Sequence, residues 1–514
     1  QHNSTNKYLL NGILKTEWGF DGVVVSDWGA VHNTDEAVLN GVDMEFGSWT
    51  NGLNWGQSNA YDNYYMADPY MKGILEGKYS MEQLNDKVRR VLRTFYRTTM
   101  NKNKGFGFLC SDEHYAAAKR IAEEGIVLLK NSKVSKKEGP VLPIDTKRVK
   151  KVLIVGENAL KMMTVGGGSS SLKVQKEIIP FDGLKARLEK DGVEVSYQRG
   201  YVGDIGGEYN GVKTGQDLSE TRSAEQLTAD ACEAAKSADV VIFIGGLNKA
   251  DHQDAEGTDR ESFDLPYGQN QVVEALAKAN PHLVYVNISG NAAHLSFVKQ
   301  VPAIVQGWFN GSEAGEAIAS VLCGDANPSG KLPMTWNDKL DDYGAHALNT
   351  YPGTWRDEKK EIIDEVYEEG IYVGYRWNDL KKIKPVFAFG HGLSYTTFQI
   401  SNLRQSADTM TKDGKMTFTV NVKNTGSRAG AEVVQLYIHD AEASVDRPAK
   451  ELKGFEKVYL EPGEAKDVNI TIDANALSFF DEGAHAFKAE PGEFTALVGN
   501  ASDNLPLKAK FVLQ

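Results

Sequence analysis

Hydrophobic positions recur along this chain with three different periods, and the changes of period divide it. In residues 19–29 a β-branched run, Val23-Val24-Val25, is opened by Asp21-Gly22 and closed by Ser26, Asp27, Trp28 and Gly29. A short apolar run between turn residues predicts a buried parallel strand with Asp27 at its C-terminal lip. Residues 32–41 then predict a short helix and residues 42–47 a second strand. Residues 48–63, rich in Gly, Asn and Trp without a period, predict a long loop of the kind used for binding. Ser80 begins a capping-box pattern, and Met81, Leu84, Val88, Val91, Leu92 and Phe95 follow at helical spacing, so this helix should pack its apolar stripe on the same domain. Ser111 opens another predicted helix in which Ala118, Ile121, Ala122, Gly125, Leu128 and Leu129 share a face.

From residue 152 the pattern becomes strand, loop, helix. Apolar strands are predicted over 152–156, 239–246, 283–289 and 303–309, with helices over 267–280 and 312–322. Short apolar strands separated by helices imply a mainly parallel sheet covered on both faces. Residues 324–336 and 368–398 are aromatic and punctuated by Gly and Pro, and by physics alone they are long surface loops. From Phe398 the period drops to two, over 415–426, 431–440, 450–464, 465–473 and 492–499. With turns at Asn424-Thr425-Gly426 and Pro462-Gly463, this predicts an antiparallel β-sandwich. The fold class is therefore multidomain α/β plus β.

Composition narrows the function. At 514 residues the chain exceeds what one core sustains, and 41% hydrophobic with 25% charged residues is the balance of a folded globular protein. A net charge of −13 argues against nucleic acid and against an anionic membrane surface, whereas a neutral substrate fits. No apolar run is long enough for a membrane span, and no signal peptide is visible. Cys110, Cys232 and Cys323 are too few and scattered for a disulfide framework or zinc site and read as small buried hydrophobes. His32, His252, His294 and His391 lack metal-ligand spacing and read as core or surface histidines.

A carboxylate at a strand lip can serve as a nucleophile, and an adjacent tryptophan offers a flat apolar face to a sugar ring. Taken alone, Ser26-Asp27-Trp28 reads as a capped strand end with a core tryptophan. Residues 6–47 as a whole, helix, strand, helix and strand together, resemble the nucleophile region of glycoside hydrolase family 3, the β-glucosidase family. The resemblance implies that Asp27 is the catalytic nucleophile, that Trp28 stacks on sugar, and that residues 1–100 are the C-terminal part of a (β/α)₈ barrel. It continues through residues 123–132, 324–336 and 368–398. It implies a linker at 101–112, an α/β sandwich at 113–335, a linking segment at 336–397 and a fibronectin type III-like sandwich at 398–514.

Retaining hydrolysis needs a second carboxyl group. The polar loop after the strand 239–246 contains Glu256-Gly257-Thr258-Asp259-Arg260 ahead of Leu265-Pro266, similar to the family's acid/base segment. That match points to Glu256, with a raised pKa before glycosylation. Asp254 remains a rival, and a charged loop in which Arg260 pairs with Asp259 or Glu256 is the non-catalytic alternative. Arg260 is otherwise given a positioning role. Residues 166–171, three glycines and three serines, lack the spacing of a nucleotide loop; the resemblance makes Ser169 a candidate for a sugar hydroxyl.

The family's other hydroxyl-binding residues, an Asp, an Arg and a Lys-His pair, lie on earlier barrel strands, so a second chain or an upstream segment is expected to complete the barrel. The resemblance thus implies a retaining exo-acting β-glucosidase taking small oligosaccharides or glucosides, in the periplasm or secreted, with a homodimer as a candidate assembly. The alternatives are a β-xylosidase or dual glucosidase/xylosidase, and a non-catalytic carbohydrate-binding protein on the same scaffold.

Overall fold

Apolar residues buried on both faces build the central layer of the larger of two units in this computed structural model, which describes residues 2–47, 62, 64–164, 167–169, 172, 174–203, 208–209, 212–213, 219–250, 252–256, 258–360 and 363–514. The units are Gln1–Leu109 and Cys110–Gln514. Most of the expected loop 48–63, together with Gly166, Ser170, Ser171, Asp251 and Gly257, lies outside the described residues.

In the first unit, helices span Tyr8–Glu17, Thr34–Asn40, Asp68–Leu75 and Met81–Arg97. The first is wound with wide π-type turns, so Trp18 N–H donates to Ile13 O at 2.9 Å. The last opens with the expected capping box between Ser80 and Gln83. The two expected strands are instead extended segments joined by one parallel bridge, Val25 to Met44. Val25 is 41% exposed rather than buried. A barrel strand is covered because it has a neighbour on each side, and among the described residues each segment pairs only with the other. The stripe of the Met81–Arg97 helix is likewise not packed away: Met81, Val88, Leu92 and Phe95 are exposed, and Lys87 is the buried residue. The cores of this unit are small, one around Val31, Ala37 and Val42, another around Val38, Tyr70 and Tyr79.

In the second unit, a six-stranded sheet runs in the order Val127–Asn131, Ala303–Gln306, Leu283–Ile288, Val240–Gly246, Lys151–Val155, Glu194–Gln198. The first pair is antiparallel and the rest parallel. Helices Asp112–Gly125, Pro180–Glu189 and Ala314–Cys323 lie against one face, and Ala224–Ala235 and Gln269–Ala279 against the other. The helix expected to run from Ser111 through Leu129 stops at Gly125. Ile126 to Leu129 are all buried, and an edge strand satisfies their backbone and burial together. Ile121, assigned to the same apolar face, is 70% exposed. Cys110 is also exposed, contrary to its reading as a buried hydrophobe.

The β-sandwich follows the period-two pattern. Phe398–Gln405, Lys415–Asn424 and Ala465–Asp473 form one sheet; a second contains Leu507–Leu513, Gly492–Gly499, Gly430–Asp440 and Glu451–Leu460. Met416, Phe418, Val420 and Val422 point inward on alternate positions. In the linking segment Trp336 is fully buried and donates Nε1–H to Ala293 O at 2.8 Å, tying that segment into the α/β core.

Candidate active site

In the first unit, Ser26 N–H donates to Met44 O at 2.9 Å, and Phe46 N–H donates to Ser26 Oγ at 2.8 Å, so the two extended segments stay in register up to Asp27. Asp27 is exposed, and its Oδ1 accepts Trp28 N–H at 2.7 Å. Trp28 is 70% exposed and stacks on Phe46 with ring centroids 5.1 Å apart. It is therefore no core tryptophan, and its free face is the kind of surface a pyranose ring packs against. Beneath the lip, buried Asp43 accepts from Val24 N–H and from Lys15 Nζ, both at 2.8 Å. Lys87 Nζ donates to Val42 O, and burial pulls its pKa down to about 8.

In the second unit, loops leaving the carboxyl ends of the parallel strands gather at one edge, the position where open α/β sheets hold ligands. Residues 252–256 and 258–260 follow Val240–Gly246, Gly290 and Asn291 follow Leu283–Ile288, Phe309 follows Ala303–Gln306, and Gly167 follows Lys151–Val155. They surround a cavity of about 540 Å³ lined by Lys249, Asp254, Glu256, Asp259, Asn291 and Phe309 among others.

The two acids differ in surroundings. Asp254 is half-buried, with one oxygen accepting Gly290 N–H at 2.7 Å and the other the Asn291 amide at 2.8 Å. Burial pushes its pKa up against those donors and the nearby Arg260. Glu256 is exposed at the cavity rim, and its Oε2 accepts Ser169 N–H at 2.6 Å. Hydrogen bonding from Ser169 holds the Glu256 carboxyl below its ordinary range, the reverse of the raised value expected from its loop setting. Arg260 contacts neither Asp259 nor Glu256; it donates to Ala292 O at 2.8 Å and lies over Phe263. Asp259 instead accepts the Tyr351 hydroxyl at 2.5 Å.

Sequence reasoning passed over Lys249, Asn291, Phe309 and Tyr351. The first three sit just beyond strand ends, a positional signal that could have found them. Tyr351 comes from the linking segment, and no local signal marks it.

Residues 1–94 match the Glycosyl hydrolase family 3 N terminal domain, 126–375 the Glycosyl hydrolase family 3 C-terminal domain, and 432–502 a Fibronectin type III-like domain. A solved structure of a β-glucosidase of this family from Bifidobacterium adolescentis is 30% identical, with a TM-score of 0.83, and covers 100% of this chain and 68% of its own. The chain belongs to glycosyl hydrolase family 3. A β-glucosidase of Bacteroides ovatus is 48% identical over 98% of this chain and 66% of its own length. A periplasmic β-glucosidase of Salmonella typhimurium is 33% identical over 96% of this chain and 64% of its own. The chain thus spans about two thirds of the length of these family 3 relatives. Among the described residues no helix is long and apolar enough to cross a membrane.

Proposed function

We propose that this family 3 chain carries the nucleophile and acid/base of a retaining, exo-acting β-glucosidase that releases a terminal sugar from small β-linked oligosaccharides or glucosides, in the periplasm or outside the cell. Asp27 is the nucleophile and Glu256 the acid/base, with Trp28 stacking on the sugar and Ser169 meeting a hydroxyl. In the first step an Asp27 oxygen bonds to the anomeric carbon as the bond to the aglycone oxygen breaks, and protonated Glu256 gives that oxygen its proton. In the second, Glu256 takes a proton from water as the water oxygen bonds to the anomeric carbon, and the ester to Asp27 breaks to return the carboxylate. No bound metal or organic cofactor enters either step.

The observation that carries the assignment of Glu256 is the contrast with Asp254. Both Asp254 oxygens are occupied by fixed donors, while Glu256 stands at the rim of the cavity with an oxygen free to meet substrate. The exposed stripe of Met81, Val88, Leu92 and Phe95 supports a further element of the proposal, that an upstream segment or a second chain completes the barrel and supplies the remaining hydroxyl contacts.

Incubation with a 2-deoxy-2-fluoroglucoside bearing an activated leaving group tests the function. The expected result is one covalently held fluoroglucose, mapped to Asp27 by peptide mass. Faster labelling by the corresponding fluoroxyloside would move the assignment to a β-xylosidase. Absence of any label, with sugar binding retained in calorimetry, would identify a carbohydrate-binding protein.

A further inference from the structure

Glu256 is joined to the turn at 167–169 in both directions. Its own N–H donates to Gly167 O at 2.9 Å, while its carboxylate accepts Ser169 N–H at 2.6 Å. The backbone between those two contacts is shaped for this. Gly167 and Gly168 have φ of +82° and +103°, a region that side-chain-bearing residues rarely adopt. A Cβ on Gly168 would overlap both Cβ and Oε2 of Glu256. The carboxylate therefore rests where only a glycine leaves room, against a main-chain donor that favours its negative form.

We propose that the 167–169 turn is a cradle that docks Glu256 in its ionised state, with Gly168 as the positioning residue that makes docking possible. This deepens, and rests on, the reading of Glu256 as the acid/base. A docked carboxylate is ready to take a proton from water. To give one, the carboxyl must first take a proton on its other oxygen, and the hydrogen bond from Ser169 N–H to Oε2 disfavours that uptake. The cradle thereby biases Glu256 toward the hydrolytic second step, in which it acts as a base. The low proton affinity of Glu256 in this arrangement agrees with that bias.

Two measurements on the full chain test the cradle without requiring turnover. The carboxyl infrared difference between the chain and Glu256→Gln, followed against pH, isolates the ionisation of Glu256. In Gly168→Ala that ionisation should move up by about one pH unit, as expected for losing a hydrogen bond to a charged acceptor. Independently, amide exchange in the peptide containing Ser169 should quicken several-fold in Glu256→Ala. An unshifted titration in folded Gly168→Ala, or exchange at Ser169 indifferent to residue 256, overturns the cradle. Azide rescue of Glu256→Ala tests the acid/base role separately. A confirmed cradle without azide rescue would leave the docking intact and remove the catalytic role.

Discussion

Asp254 and Glu256 are two positions apart and chemically alike, yet their partners separate them. Glu256→Gln removes the proton carrier and its charge while leaving an amide oxygen that can still accept Ser169 N–H, so its loss should depend on the leaving group. Turnover of a disaccharide is expected to fall on the order of 100-fold or more, that of an activated aryl glucoside far less, with azide restoring the latter. Asp254→Asn takes an acceptor away from Gly290 N–H and replaces it with a competing amide. Activity should fall equally for both substrates, without azide rescue and with a lower melting temperature. In the first unit, Lys87 supplies a pH signature. Its folded pKa of about 8 lies below the ordinary lysine value of 10.5, so between those values the unfolded chain binds more protons than the folded one. Stability should therefore rise as pH increases from 8 toward 10.5, and denaturant midpoints of Lys87→Met should lack that rise.

At the level of elements, close backbone approach decides what each contact tolerates. Helices Pro180–Glu189 and Ala314–Cys323 cross at Gly183 and Gly315, where a Cβ on Gly183 would strike the Gly315 backbone and one on Gly315 would strike the carbonyls of Ile178 and Ile179. Gly315→Ala must spread the helices, and a loss of about 1–3 kcal/mol is expected in chemical denaturation. The Tyr351 hydroxyl ties the linking segment to Asp259, three residues beyond Glu256. Tyr351→Phe should loosen residues 252–260 toward amide exchange while costing only about 1 kcal/mol of stability. Legibility at this scale followed locality. Ser80 and Gln83 announce their helix because a capping box is satisfied within four residues. The fate of residues 126–129 was not legible from residues 111–129 alone, because apolar side chains serve a helix face or a buried strand equally well. The partner that decided between them, Ala303–Gln306, is far along the chain.

Across the whole molecule, the first unit differs from the second in how much apolar surface it leaves in water. Trp18, Val88, Leu92 and Phe95 are exposed there, whereas the α/β and β-sandwich cores of the second unit are closed. If an upstream segment or second chain completes the barrel, the chain alone should bind an environment-sensitive naphthalene sulfonate dye, and supplying the missing part should suppress that fluorescence. Periodicity and turn chemistry are properties of neighbouring residues. The sequence by itself therefore determined the fold class and the order of sheet and sandwich, while Asp27 and Glu256 were singled out by the resemblance of the longer stretches around them to the family. The surroundings of those carboxylates are not local. Gly290 and Asn291 reach Asp254 only because strands Val240–Gly246 and Leu283–Ile288 are neighbours in the sheet, and Ser169 reaches Glu256 from a third strand end. Which acid is occupied, which is free, and which way each proton affinity moves was decided by tertiary structure alone, because hydrogen bonds and burial act through space whatever the distance along the chain.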